Sequence, residues 1–381
     1  MNDFPLHLAE KLQQRIAENA LRTPGTTAGL IDFSSNDYLG LAASDQLFEA
    51  TNQLLLQRNI KVNGATGSRL ITGNHELYNE AETLLAQFHE ADSALIFNSG
   101  YDANVGFFSA VPQKGDVVLY DEYIHASIRD GLRLCGAQSY KFQHNDKESL
   151  YKLIERYRSK ATELYIVTES VFSMDGDTPN LEAFADIAER YRCRLVVDEA
   201  HAVGVFGDRG QGLLQSYGLH KRVFARLVTF GKAMGCHGAA VLGSKNLTVY
   251  LSNFARSFIY TTGLPPHSLA AIISSYNTII DNPLTVSKLH IAISAFKSET
   301  ERCHLPFILS YSAIHCIIVP GNERARKIAA ELQRAGFSVK AILSPTVPVG
   351  QERLRFCIHG FNTRPDMSRM MDVLTNALRY L

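Results

Sequence analysis

Two short stretches of this chain carry residues able to do chemistry on a flat, bulky partner. Leu195-Val196-Val197-Asp198-Glu199-Ala200-His201 is an apolar run of strand length that ends in an acid, followed three residues later by an imidazole. Leu227-Val228-Thr229-Phe230-Gly231-Lys232-Ala233-Met234-Gly235 is a second apolar run, and it delivers a lysine between two glycines. A carboxylate at the end of a buried strand is costly unless it faces a cation, and a lysine flanked by small residues leaves room for a planar ligand. Pyridoxal phosphate meets both needs: the lysine amine attaches its aldehyde as a Schiff base, the aspartate keeps the pyridine nitrogen protonated, and the histidine reaches the phenolic oxygen. Either stretch by itself is also what an ordinary α/β core with an Asp-capped helix and a surface lysine would show.

Elements that alternate between strand and helix are needed to bring the two stretches together. From residue 94 the pattern supplies them, with strands expected at 94–98, 116–120, 137–142, 163–168, 194–198, 224–229 and 238–243 and helices between several of them. Such an order builds a mainly parallel sheet covered on both faces. Ligands collect at the carboxyl ends of these strands, where Asn98, Tyr120, Glu169, Asp198 and Thr229 fall. Ser99-Gly100-Tyr101 turns directly from strand to helix, so unpaired amides and the helix dipole point at one spot, a phosphate cradle in outline. His125 opens a helix just past a strand end, either as a cap or as a ring that stacks on a planar ligand. Ser173 lies in a polar turn, 171–177, as a turn former or a ligand contact, and Tyr260-Thr261-Thr262-Gly263 offers hydroxyls within reach of a phosphate.

Ahead of this region, an amphipathic helix is expected over 5–20, ended by Thr23-Pro24-Gly25, then a short strand at Ile31 opening into the turn Ser34 to Gly40. A helix at 45–58, a glycine-rich run at 63–69 and a helix at 74–88 follow. After Pro266 a long helical stretch runs to about residue 303, and a smaller α/β unit comes next: strand 313–319, helix 322–335, strands 337–343 and 352–358, and a last helix from 364. Alternation puts Arg353 and Arg355 on one strand face, where one is expected to grip a carboxylate bidentately and the other to stand on solvated surface. The expected division is an N-terminal helix and arm over 1–44, a large cofactor-binding domain over 45–275 and a small C-terminal domain over 276–381.

With 381 residues the chain can bury a large core. Its 38 Lys+Arg balance 38 Asp+Glu, so no global field favours nucleic acid or an anionic membrane, and no apolar run approaches membrane-spanning length. The six cysteines show neither CxxC pairing nor metal spacing, and the N-terminus lacks the apolar core of a signal peptide, so reduced thiols, no metal and a cytoplasmic location are expected. No GxGxxG follows a strand and no GxxxxGK occurs, which argues against a nucleotide-binding oxidoreductase.

Six motifs stand in one order: Ser35 to Gly40 (SNDYLG), Gly64 to Asn74, Thr168 to Asp177 (TESVFSMDGD), Asp198 to His201 (DEAH), Thr229 to Lys232 (TFGK) and Thr346 to Arg355 (TVPVGQERLR). Through them the chain from Ser34 onward resembles the α-oxoamine synthases, fold-type I pyridoxal-phosphate transferases. The resemblance implies a large domain with a mainly parallel sheet, a smaller C-terminal α/β domain, pyridoxal 5'-phosphate as cofactor and a homodimer with its active site at the subunit interface. It implies catalytic roles for Lys232 as Schiff-base and proton-transfer lysine, Asp198 at the pyridine nitrogen, His201 at the ring oxygen and His125 over the ring face. Gly100, Tyr101 and Thr229 would hold the phosphate, Ser173 would touch the cofactor, and Thr261 and Thr262 would reach the phosphate of a neighbouring subunit. Arg355 is similar to the residue that grips the amino-acid carboxylate, Asn36 and Thr346 look like substrate contacts, and Arg22 would match an N-terminal arginine on the acyl substrate.

The activity implied is the decarboxylative condensation of L-alanine with a pimeloyl thioester of coenzyme A or an acyl-carrier protein, the branch of the family in biotin biosynthesis being favoured by residues 67–74 and the TVPVG segment. Glycine C-acetyltransferase, 5-aminolevulinate synthase and serine palmitoyltransferase share the chemistry, an aminotransferase is more distant, and a non-catalytic synthase subunit would be expected to lack Lys232. The chain departs from the family at His237, where a glycine or serine is usual, and in a short segment before Asn36.

Overall fold

A computed structural model describes residues 4–22, 24 and 29–380, and the chain forms two compact units. The larger comprises 36–173 and 177–288, the smaller 1–35, 174–176 and 289–381. This division departs from the expected boundaries. Residues 1–35 share a unit with the C-terminal region because Ile31–Asp32 pairs in parallel with Phe337–Ser338, a contact between segments far apart in sequence.

In the larger unit seven strands form one sheet, in the order Ser93–Phe97, Ala239–Gly243, Ala225–Thr229, Arg194–Asp198, Leu164–Glu169, Val117–Asp121, Gln138–Phe142. All neighbours are parallel except Ala239–Gly243, which runs against both of its own. Each strand begins within a residue of its expected position, since apolar runs bounded by turn residues mark strands well. Alternation then sorts the side chains. Tyr165, Val167, Val196, Leu227 and Val241 pack with Phe107, Phe108 and Ile128 on one face, while Leu164, Ile166, Leu195 and Val197 pack with Ile154, Phe184 and Leu213 on the other. Burial on both faces explains why these strands read as nearly continuous apolar runs.

The smaller unit holds an antiparallel sheet of Lys340–Ile342, Arg353–Cys357 and Ile314–Ile318, with helices Asn322–Arg334 and Arg364–Tyr380. The single strand expected at 337–343 is two: Phe337–Ser338 pairs with Ile31–Asp32, and Lys340–Ile342 pairs with Arg353 to Arg355. The long helical stretch is likewise two helices, Pro266–Asp281 and Leu284–Arg302. Pro283 lacks the amide the helix would need and disfavours helical geometry at Asn282. The first helix, Leu6–Ala17, stops short of the expected Thr23-Pro24-Gly25, of which Thr23 and Gly25 lie outside the described residues. Asn19 closes it in the left-handed region (φ 51°), with Ala20 N–H donating to Arg15 O at 2.8 Å.

Neither arginine of the strand Arg353–Cys357 stands on solvated surface, contrary to expectation: Arg353 is 5% and Arg355 9% exposed. Arg353 makes a short ion pair with Asp175, whose segment is held by Ser310 and Ser312 hydroxyls donating to Gly176 O at 2.8 and 2.9 Å. A carboxylate supplied from so far along the chain leaves no local trace in sequence. None of the six cysteines is in a disulfide, and among the described residues no helix is long and apolar enough to cross a membrane.

Candidate active site

At the carboxyl ends of the strands in the larger unit lies a cavity of ≈ 220 Å³, and Gly100, Tyr101, His125, Asp198, His201, Thr229 and Lys232 all line it. Strand order explains the convergence, for Asp198 and Thr229 end neighbouring parallel strands, and the antiparallel strand Ala239–Gly243 brings its amino end to the same side.

Asp198 is buried, and both of its oxygens accept hydrogen bonds: Oδ1 from Ala200 N–H and Oδ2 from Asn104 Nδ2, each at 2.9 Å. The carboxylate is therefore aimed, with an acceptor on each oxygen satisfied. Lys232 rides on a turn closed by Gly235 N–H to Lys232 O at 2.9 Å and Cys236 N–H to Phe230 O at 2.7 Å. Only glycine fits at 235, where φ is +63° and a Cβ would lie 2.3 Å from Ala42 N. His201 Nδ1 is 2.7 Å from Tyr38 OH, which donates to Asn36 Oδ1 at 3.1 Å. At the helix Gly100–Ala110, Ser99 Oγ caps Asp102 N–H at 3.0 Å, and the first-turn amides of Gly100 and Tyr101 have no intrahelical acceptor. A Cβ at Gly100 would meet Thr229 Cγ2 at 2.6 Å, so glycine lets this anion-seeking helix start approach the Thr229 hydroxyl.

Glu169 also lines the cavity, in register with Asp198 on the adjoining strand and 3% exposed. Burial first, and Asp198 second, hold its carboxyl well above the ordinary range, against Lys232 and the His125 main-chain N–H that donates to it at 2.6 Å. Desolvation lowers the pKa of His125, with Asp198 opposing and Lys232 assisting, so this imidazole is neutral at neutral pH.

The other residues of the motifs fall elsewhere. Ser173, Thr261, Thr262 and Asn36 do not line the cavity; Thr261 Oγ1 and Thr262 O instead accept from Asn98 Nδ2 at 3.0 and 2.7 Å. Arg22, Thr346 and Arg355 belong to the smaller unit, where Arg22 Nη2 donates to Thr346 Oγ1 at 3.0 Å. Asn104, Glu169 and Tyr38 were given no role by the sequence. Of these, Glu169 had a signal in its place at a strand's carboxyl end, while Asn104 is a polar residue buried in the helix Gly100–Ala110.

Two ionic networks hold the loops that carry these groups. Arg226 and Glu199 pair at 2.6 Å with 3% and 0% of their side chains exposed. Glu199 Oε1 also accepts Leu214 N–H at 2.9 Å, and Arg226 donates to His89 O and Gln211 O at 3.0 and 3.1 Å, which fastens the loop following Asp198. Arg226→Met is expected to strand the Glu199 charge at a cost of about 3–5 kcal/mol, a fall in Tm on the order of 10 °C. Differential scanning should show Glu199→Gln in the same chain recovering part of that loss.

The second network is His144 between Asp121 (2.9 Å) and Asp177 (2.8 Å). Asp121 Oδ1 also accepts Tyr123 N–H at 2.8 Å, fixing the turn that leads to His125. Burial by itself would lower the His144 pKa, but hydrogen bonds to the two carboxylates outweigh it and push it up to about 9. A group raised in the folded state stabilises fully below its unfolded value of 6.5 and loses that contribution as pH rises through about 9. The stability difference between wild type and His144→Gln should therefore shrink over that window, which thermal unfolding across pH would measure.

Known proteins repeat this architecture. A structure of 8-amino-7-oxononanoate synthase from Francisella tularensis superposes with a TM-score of 0.78 at 29% identity, covering 92% of this chain and 98% of that one. A serine palmitoyltransferase solved with pyridoxal phosphate superposes at 0.89 with 25% identity, covering 98% and 97%. In sequence, 8-amino-7-oxononanoate synthase from Emericella nidulans is 37% identical over 404 aligned positions, 100% of this chain and 98% of the relative. The fold is that of the fold-type I pyridoxal-phosphate transferases. Aminotransferase class I and II describes residues 28–374, and with the geometry above this places the chain in that family.

Proposed function

We propose that this protein is a pyridoxal-phosphate-dependent acyltransferase that condenses L-alanine with a pimeloyl thioester to give 8-amino-7-oxononanoate, carbon dioxide and the free thiol carrier, a step of biotin biosynthesis. The observation that carries the reading is that the Lys232 amine and the Asp198 carboxylate line one cavity with a helix N-terminus at its wall. Full-length similarity to 8-amino-7-oxononanoate synthases supports the choice of substrates.

The residues fit the cofactor: an amine to hold an aldehyde, a doubly hydrogen-bonded carboxylate to face a ring nitrogen, and amides with a hydroxyl to take a phosphate. When bound, pyridoxal phosphate supplies an aldehyde that condenses with amines and a protonated ring that accepts the electron pair left at an amino-acid α-carbon. Asp198, oriented by its two donors, would hold the proton on that ring nitrogen. Lys232 would anchor the cofactor and, once displaced by alanine, take the α-proton as a base. His201, steadied by Tyr38, would face the ring oxygen, and His125 the ring face. Gly100, Tyr101 and Thr229 would hold the phosphate, with Ser173 as a further contact and Thr261 and Thr262 serving a second copy of the chain in a homodimer. Arg355 would bind the alanine carboxylate, and Asn36, Thr346 and Arg22 would serve the substrates. A reducing, cytoplasmic setting accords with six cysteines of which none is in a disulfide.

In the reaction a C–C bond forms between the alanine α-carbon and the thioester carbonyl carbon as the C–S bond breaks and the thiol leaves. The carboxylate then departs as carbon dioxide, and a proton enters at the α-carbon. Turnover is to be measured with L-alanine, glycine and L-serine against pimeloyl, acetyl and palmitoyl thioesters. Preference for L-alanine with the pimeloyl thioester is expected. Preference for L-serine with the palmitoyl thioester would move the assignment to the serine palmitoyltransferases, whose fold the chain also shares.

A further inference from the structure

A chain of buried side chains connects the two ionisable groups on either side of the cavity. Asn104 Nδ2 lies 2.9 Å from Asp198 Oδ2 and 3.1 Å from Ser127 Oγ, and Ser127 Oγ lies 2.7 Å from His125 Nδ1. Directions along it follow from which atoms can donate. A carboxylate accepts only, and Asp198 already takes the Ala200 N–H on its other oxygen, so the Asn104 atom facing it is the amide nitrogen. That NH₂ group has two hydrogens. One goes to Asp198, the other to Ser127 Oγ. The Ser127 main-chain N–H donates to His125 Nδ1 at 3.2 Å, so this nitrogen is an acceptor, and the Ser127 hydroxyl, 2.7 Å away, has its own hydrogen to give to it.

Two donors thus converge on Nδ1, which must present its lone pair. In a neutral imidazole the proton then sits on Nε2. The backbone at this position is fixed as well, by Glu169 Oε1 accepting the His125 N–H at 2.6 Å. His125 lines the cavity, and no protein group among the described residues bonds its Nε2.

We propose that the Asp198–Asn104–Ser127 chain fixes His125 as the neutral Nε2–H tautomer, so that Ser127 and Asn104 are positioning residues and the imidazole offers the cavity a hydrogen-bond donor. A neutral donor suits an oxygen that gains charge during reaction, because it stabilises the product of bond formation without pairing tightly to the starting carboxylate. The tautomer stands apart from the function proposed above; that the oxygen served is the thioester carbonyl rests on it. The lowered pKa of His125 accords with a neutral ring.

The test is nitrogen NMR of the cofactor-loaded protein carrying isotope-labelled histidine, with His125 assigned by difference against His125→Gln. The expected pattern at neutral pH is a pyridine-like Nδ1 and a protonated, pyrrole-like Nε2. A protonated Nδ1, alone or in an imidazolium, would overturn the proposal. In Ser127→Ala the Nδ1 atom keeps only the longer main-chain bond, so its resonance is expected to move towards that of an unbonded acceptor. Loss of one neutral hydrogen bond should lower kcat about tenfold with KM for L-alanine unchanged. Ser127→Thr keeps the hydroxyl and is expected to restore both. An Nδ1 resonance that stays put in Ser127→Ala would strip Ser127 of its role. A protein that shows the expected tautomer yet condenses no acyl thioester would refute the proposed reaction and leave the tautomer intact.

Discussion

Lys232→Ala is expected to lose turnover by about 10³-fold or more, because among the described residues no other amine lines the cavity to act as base and anchor. The same variant should fold. Lys232 sits on a turn closed by main-chain hydrogen bonds, at Gly235 and Cys236, that a side-chain truncation leaves intact. Purified wild type should show visible absorbance from covalently held cofactor, shifting on addition of L-alanine, whereas Lys232→Ala should show neither. A Lys232→Ala protein that keeps both the absorbance and the turnover would remove the lysine from the chemistry. Circular dichroism and Tm close to wild type make the comparison one of function and not of folding.

Asp198→Asn should lower kcat by about 10²–10³-fold while cofactor still binds, since the amide keeps the shape and loses the charge that would hold a ring nitrogen protonated. The structure adds a second consequence. Asp198 accepts from Ala200 N–H and Asn104 Nδ2 with separate oxygens, and an asparagine offers one oxygen only. Either Ala200 or Asn104 loses its acceptor, which costs about 1–3 kcal/mol of stability. Activity and Tm should therefore both fall, with activity falling further than the stability loss accounts for. The double variant Asp198→Asn, Asn104→Asp restores a donor and acceptor in opposite sense. It is expected to regain Tm without regaining kcat. Recovery of kcat in that double variant would show that the carboxylate at 198 serves packing and not the cofactor.

Much of the larger unit was legible in the chain before any coordinates. Runs such as Leu164 to Val167 and Leu195 to Val197 are apolar throughout because both sheet faces are covered, and the glycines and polar residues around them mark where the strands end. The smaller unit was less legible where strands are short. Residues 337–343 look like one strand in sequence and are divided between two sheets, since partner choice depends on Ile31–Asp32 and on Arg353 to Arg355, both distant along the chain. The helix break at Pro283 is written in the sequence, while the apolar residues on both sides of Asp281 to Pro283 suggest one continuous helix.

For the site, residue type and spacing alone determined that an acid, an imidazole and a lysine stand at strand ends, because strand periodicity and turn chemistry act over a few residues. Only the tertiary structure decided what each of them meets. That Asn104 and Ser127 stand between Asp198 and His125, that Glu169 stands in register with Asp198, that Glu199 faces Arg226 and that Arg353 faces Asp175 all follow from sheet register and from segments crossing in space. Hydrogen bonds and ion pairs act over a few ångströms, and distance along the chain does not measure distance across a folded core.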